Sequence, residues 1–257
     1  MNSTKTHILG LLFFLLGAPM LPAYAQQEQE ELNADRPDNS QGPGIVSRGY
    51  VQLEAGYNYQ KLNDRIRTYA YPTALLRVGL LQGVELRVQG AVKDSVIENG
   101  TSRHVKGWGP LSVGTKVRLW EESGWRPEAA INAMLVLPVA HELFKPDNVE
   151  PQFSLGFSNA LSETMDLSYN LGYGWTDGEP QRSYGANITK QFMDKVSLYL
   201  EVFGNKGKGE PAEHQADLGI LYLLLPNLQV DIAAGRRLNK AAPHHFFTTG
   251  LAFRLPR

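Results

Sequence analysis

From Gly49 onward, large apolar side chains recur at every second position, a period that an extended strand satisfies and a helix does not. In Asp166 to Trp175, Leu167, Tyr169, Leu171, Tyr173 and Trp175 are large and apolar, while Ser168, Asn170, Gly172 and Gly174 are small or polar. The same two-faced pattern returns in Val51 to Tyr59, Val84 to Gln89, Ser112 to Leu119, Gln152 to Ser158, Val196 to Val202 and Leu228 to Gly235. Segments 69–81, 128–137, 182–192, 215–224 and 246–255 alternate less cleanly. One greasy face and one wet face per strand, repeated along the chain, predicts an all-β fold of about twelve strands. An even count lets both ends return to one side of a membrane.

The compartment follows from the first residues. Lys5, the apolar run Ile8–Leu16 and the small-x-small triplet Ala23-Tyr24-Ala25 form a signal peptide, residues 1–25, cleaved to leave Gln26. The rival reading, a membrane anchor, meets a short run broken by Gly17, Pro19 and Pro22. Residues 26–48 are polar, carry Pro37 and Pro43, and read as an extended periplasmic arm; 49–257 are assigned to the barrel. The chain has 25 Lys plus Arg and 26 Asp plus Glu, and removing Lys5 leaves 24 basic residues against 26 acidic ones. That balance argues against nucleic acid as a partner. The absence of Cys excludes a disulfide scaffold and thiol chemistry.

Connections between the strands fall into two alternating kinds. Tight ones are Gln82-Gly83, the region from Glu121 through Ser123-Gly124, Ser162 to Thr164, Met193 to Lys195 and Leu225 to Asn227. Longer polar ones are 60–67, 92–107, 139–149, 176–181, 205–213 and 239–243. Short inner turns with longer outer loops are the asymmetry of a transmembrane, antiparallel up-and-down β-barrel. Trp108, Trp120, Trp125 and Trp175 stand at or beyond strand ends, with Tyr57, Tyr59, Tyr173, Tyr184, Phe192, Phe203 and Phe253 near them. Such placement predicts aromatic girdles at the two membrane boundaries, although aromatics favour strands generally. Lipid on the outside then satisfies the apolar faces, and closure leaves no strand edge unpaired.

Two further stretches carry a resemblance. Thr248-Thr249-Gly250-Leu251-Ala252-Phe253-Arg254-Leu255 resembles the final-strand signal read by barrel-assembly machinery, departing from it in the tail Leu255-Pro256-Arg257. Asp35-Arg36-Pro37-Asp38, Gly42-Pro43 and Gly49-Tyr50-Val51-Gln52-Leu53-Glu54 resemble the opening of the phenol-degradation meta-pathway ("transporter") family. Gly109 to Lys116, Leu137-Pro138 and Tyr169 to Tyr173 resemble it too, so the similarity covers nearly the whole mature chain. The resemblance implies a bacterial outer-membrane barrel linked to uptake of aromatic or other hydrophobic compounds. It implies no catalytic residues.

Inward-facing charges are the candidate lumen-lining residues. Arg77, Glu85, Arg87, Lys116 and Arg118 lie on the second to fourth expected strands and Glu128 on the fifth. Glu201, Asp217 and Asp231 lie on the ninth to eleventh, across the barrel. Opposed basic and acidic walls set a transverse field suited to polar solutes. The competing reading makes them a paired polar core that seals the lumen. His104, His141, His214, His244 and His245 all fall in outer loops or strand tops, but no ligand spacing joins them, and no metal or cofactor is expected. No His-x-Ser pair occurs, so nothing nominates a lipid-modifying enzyme. Asn99-Gly100-Thr101 and Asn187-Ile188-Thr189 match the glycosylation acceptor by chance. Passage of small molecules across the outer membrane is the expected function, with a sealed structural or adhesive barrel as the alternative.

Overall fold

The computed structural model describes residues 32–256; the expected signal peptide and the first residues of the arm lie outside them. Thirteen strands make a single sheet, and each pairing is antiparallel. They are β1 (Tyr50–Lys61), β2 (Ile66–Leu81), β3 (Val84–Asn99), β4 (Thr101–Trp108), β5 (Leu111–Trp120), β6 (Glu128–Leu137), β7 (Glu150–Ser162), β8 (Met165–Thr176), β9 (Glu179–Met193), β10 (Val196–Gly207), β11 (Glu213–Leu225), β12 (Leu228–Arg237) and β13 (His245–Pro256). The final strand pairs with the first, from Tyr50 opposite Pro256 to Lys61 opposite His245, and this closes the barrel.

The circuit of the wall has twelve staves, as the periodicity implies. β4 and β5 both pair with β3, β5 along its inner half and β4 along its outer half. They form one stave interrupted at Gly109-Pro110, where proline cannot donate to a ladder and Gly109 N–H bonds Ala91 O at 2.8 Å. The expected loop 92–107 is therefore corrected: it is mostly strand, turning at Gly100. That hairpin stands where both faces meet water or headgroups, so selection for apolar alternation is absent and the sequence reads as loop.

The remaining connections separate into two ends. Turns 82–83, 121–127, 163–164, 194–195 and 226–227 share an end with the start of β1 and the end of β13. At the other end, Gly100 and 177–178 are as tight as these, while 138–149 and 238–244 are longer. Some expected outer loops shrink because the strands, up to 16 residues long, run past the roughly 9–11 that a bilayer needs. We call the first end inner and the second outer.

Register fixes the faces. Leu171, Leu200 and Leu218 point outward and are exposed, Leu171 at 65%. The interior holds the reverse: Arg77, Lys116, Gln52, Glu54, Glu85 and Glu201 are the large side chains with almost no exposure. Trp108, Trp120 and Trp175 sit at strand ends and Trp125 in an inner turn. Phe203 departs from the girdle expectation. It pairs with Gln215 on the inward face and meets Phe246 edge-on at 5.9 Å.

Candidate functional site

The first described segment, residues 32–49, forms no strand. A chain without a ladder still has backbone donors and acceptors to satisfy. Here the wall satisfies them, because the segment lies inside the barrel. Glu54 accepts the backbone N–H groups of Asp35 and Arg36 at 3.1 and 3.0 Å. Glu201 accepts those of Asn39 and Ser40 at 2.9 and 2.5 Å, and Glu85 accepts that of Val46 at 2.7 Å. Wall cations serve the carbonyls: Arg77 donates to Asn33 and Gly44, and Lys116 to Gly42 and Gly44, at 2.8–3.2 Å.

Side chains of the arm complete the match. Asp35 meets the basic wall, pairing with Arg77 at 3.2 Å, with Lys116 at 3.1 Å and with Arg87. Burial raises the Asp35 carboxyl, and the charges of Arg77, Arg87 and Lys116 reverse that and hold it far below the usual carboxylate range. Arg36 turns to the acidic wall and binds Asp231 at 3.0 Å and Thr248 at 3.1 Å. Asp38 accepts from Asn187, and Gln41 accepts from Asn132 at 2.8 Å. Burial pushes the Asp38 carboxyl well up, aided by the negative charges of Glu201, Asp35, Asp217 and Glu54.

Three glycines make room. Gly56 on β1 and Gly250 on β13 are register partners, and a Cβ on either would come within 2.6 Å of the Arg36 guanidinium. Gly156 on β7 lies under the Gln41 carbonyl, which a Cβ would approach to 2.2 Å.

Most of the expected lumen residues therefore meet at the arm. Arg77, Glu85, Arg87 and Lys116 form one connected network, with Arg77 bonded to Glu85 at 3.0 Å and Arg87 to Glu85 at 2.7 Å. Glu201 and Asp231 hold the opposite side, and Asp217 accepts from Tyr199 at 3.2 Å. Arg118 and Glu128 stand apart from this group. They pair with each other at 2.9 Å near the inner rim, and Arg118 also reaches Glu121. Position in the pleat told which way these two face but not how deep they lie.

Sequence reasoning passed over Glu54, Gln52, Asp35 and Arg36 as members of the site. A signal for them existed: an acidic and a basic residue side by side in the arm, between walls of the complementary sign. The histidines all lie toward the outer end but spread around it: His214 bonds the Tyr184 hydroxyl at 2.8 Å, His141 lies in the 138–149 loop, His104 on β4, His244 just before β13 and His245 at its start. Among the described residues no group of three or more His, Asp or Glu stands ready for a metal ion. Asn187 of the second acceptor triplet faces the lumen, where it binds Asp38.

The arm divides the lumen into two chambers. The inner one, about 480 Å³, is lined by Asp38, Ser40 and Gly42 together with Asp166, Asp194 and Lys195. The outer one, about 280 Å³, is lined by Asn39 and Gln41 with Gln89, Ser112, Gln152, Asn170, Met134 and Phe203. Arm residues belong to the boundary of both.

Similar barrels are found among solved structures. An outer membrane channel from Pseudomonas putida F1 superposes with a TM-score of 0.64 over 87% of this chain and 100% of that one, at 11% identity. The NanC porin gives 0.54 over 80% and 100%, at 8% identity. The KdgM porin, solved in complex with disordered oligogalacturonate, gives 0.56 over 79% and 98%, at 9% identity. These likenesses show a fold shared with outer-membrane barrels. No curated protein matches the chain in sequence. A family profile does match, from residue 34 in the arm to residue 255 in the closing strand, and so takes in both plug and wall. The chain belongs to the family described as "Putative MetA-pathway of phenol degradation".

Proposed function

We infer that this protein, exported with its leader removed after Ala25, is an outer-membrane conduit for small hydroxyl-bearing compounds, phenols among them, closed at rest by its own arm. One observation carries this reading: two chambers occupy the same lumen, and the arm stands between them. Between Asp35 and Gly44 the arm is held by hydrogen bonds and ion pairs, with buried aliphatic side chains only at its ends, Leu32, Ile45 and Val46. Buried pairs of this kind lose much of their Coulomb gain to desolvation, so many contacts need not mean tight closure. Water or solute can take over the same partners as the arm leaves.

The outer chamber supports the solute class. Gln89, Ser112, Gln152 and Asn170 offer amide and hydroxyl groups, while Met134 and Phe203 offer an apolar face. A hydroxylated ring uses both kinds of surface, whereas a plain hydrocarbon uses one. The family's description, which concerns phenol degradation, points the same way. The alternative of a sealed barrel is favoured by the completeness of the Asp35 network, in which one carboxylate meets Arg77, Arg87 and Lys116.

Single-channel recording in planar bilayers separates the two. The expected outcome is low conductance for the full mature chain and a severalfold larger step after deletion of residues 32–46. Gly156→Val opens the pore without removing a charge, because its side chain occupies the position of the Gln41 carbonyl. Liposomes bearing either variant take up phenol faster than liposomes bearing the parent. Barrels that fold, as judged by heat-dependent gel mobility, yet never conduct in any of the three forms belong to the sealed reading.

A further inference from the structure

The outward surface near the outer end carries a pattern that the lumen does not explain. Arg236 on β12 pairs in register with His245 on β13, His245 with Lys61 on β1, and Lys61 with Arg67 on β2. Residues paired in this way share a face, and alternation from the buried Glu54 and Thr248 makes that face the outward one. Four adjacent strands thus present a lateral row of basic and titratable side chains, spanning about 14–15 Å at normal strand spacing.

Directly inward of that row, toward the bilayer centre, the same face carries Phe247, Tyr59 and Tyr69. Tyr59 is the register partner of both neighbours, and its ring lies 5.3 Å from that of Tyr69. An aromatic row capped by a cationic row is the profile of a boundary between acyl chains and charged headgroups. At the inner end these four strands present Leu228, Phe253, Val51 and Val78 outward, with no charge among them. The cationic row therefore belongs to one leaflet.

Two of its members have acidic partners. Lys61 meets Asp64 at 3.1 Å, and Arg67 meets Glu98. Arg236 has no ion pair among the described residues. It lines, with Arg237, His244 and His245, a concavity of about 360 Å³ whose lining includes no acid. Of these, His244 already reaches Asp64 at 3.7 Å, while Arg236 and His245 stand side by side on the outward face above the aromatic shelf, a pairing that suits an oxyanion attached to an apolar body.

We propose that Arg236, His245 and Lys61 bind the phosphate of a lipid headgroup in the outer leaflet. Tyr59 and Phe247 lie along the start of its acyl chains. The occupant is a lipid rather than a free anion because the row faces outward and the shelf beneath it is apolar. This assignment is independent of whether the lumen conducts.

Native mass spectrometry of the full mature chain in detergent tests it. The probes are a bis-phosphorylated glucosamine-disaccharide lipid, the same lipid with its phosphates removed, and inorganic phosphate. The phosphorylated lipid is expected to remain bound, and the combined variant Arg236→Gln, His245→Gln, Lys61→Gln weakens its apparent affinity by roughly tenfold or more. Lys190→Gln, which removes an outward charge near the inner boundary, leaves binding unchanged. Heat-dependent gel mobility establishes that each variant is a closed barrel before binding is read. Equal retention by the triple variant, or equal binding of the dephosphorylated lipid, overturns the proposal. Displacement of the lipid by millimolar inorganic phosphate also overturns it, by identifying a free-anion site.

Discussion

Asp35 and Arg36 are chain neighbours that serve opposite walls. In an extended segment successive side chains point to opposite sides, so one dipeptide can bridge a basic and an acidic surface. Asp35 takes the cations of β2, β3 and β5, and Arg36 takes Asp231 of β12. The two aspartates of this motif respond to pH in opposite directions. Asp35 is depressed when docked, so its contribution to docking is full above the ordinary aspartate range near 3.8 and fades as pH falls through its lowered docked value. Asp38 is raised, so its contribution is full below that range and fades as pH climbs through its raised docked value. Docking should therefore weaken as pH rises above the ordinary aspartate range at Asp38, and only in strong acid at Asp35. Limited proteolysis of the arm across a pH series checks this, and Asp38→Asn is expected to flatten the loss on rising pH while leaving the rest of the profile in place.

At the scale of the strand, legibility followed the solvent. Where one face meets lipid and the other a polar lumen, alternation is strong, and strands such as Met165–Thr176 stand out from residue order alone. Beyond the bilayer the two faces differ little, and the β3–β4 hairpin reads as loop. The Gly109-Pro110 break leaves no clear mark in the sequence either, since those residues suit a turn as well as an interruption between two halves of one stave. Parity alone places the lumen charges on one face, and Arg77, Glu85, Lys116 and Glu201 are buried on it. Their depth, and the arm that meets them, depend on contacts between residues far apart in sequence. The face assignment has a direct check. Arg at Leu171, Leu198 or Val230 should impair assembly by about 2–4 kcal/mol, the cost of a mid-bilayer charge on the lipid face. The same change at Asn170 or Ser197 should cost less, read as the folded fraction on unheated gels. Equal damage from both sets would mean that the pleat is reversed.

For the molecule as a whole, two features combine: a wall polarised across its width, and a plug that cancels the polarisation. Once the plug is removed, the field is uncovered. In the variant lacking residues 32–46, Gln at Arg77, Arg87 and Lys116 is expected to shift the reversal potential toward cation preference. Neutralising Glu201, Asp217 and Asp231 shifts it the opposite way. Both shifts should grow in dilute salt, where the screening length is longer. With the arm in place the same substitutions act mainly on the plug. They leave its carbonyls or N–H groups without partners, and conductance rises instead of changing sign preference.

The closing strand gives the arm one more property. Arg36 bonds Asp231 and Thr248, which lie 195 and 212 residues further along the chain. The first of these partners is on the penultimate strand and the second on the last. The arm precedes every strand yet finds partners on the last two of them, and its binding groove is complete only when β13 has zipped against β1. Contacts of such long sequence separation form late, because the entropy of the intervening loop is lost before they can contribute. Docking of the arm is for this reason expected to follow closure of the barrel, so a chain whose β13 has not yet paired with β1 presents its arm undocked.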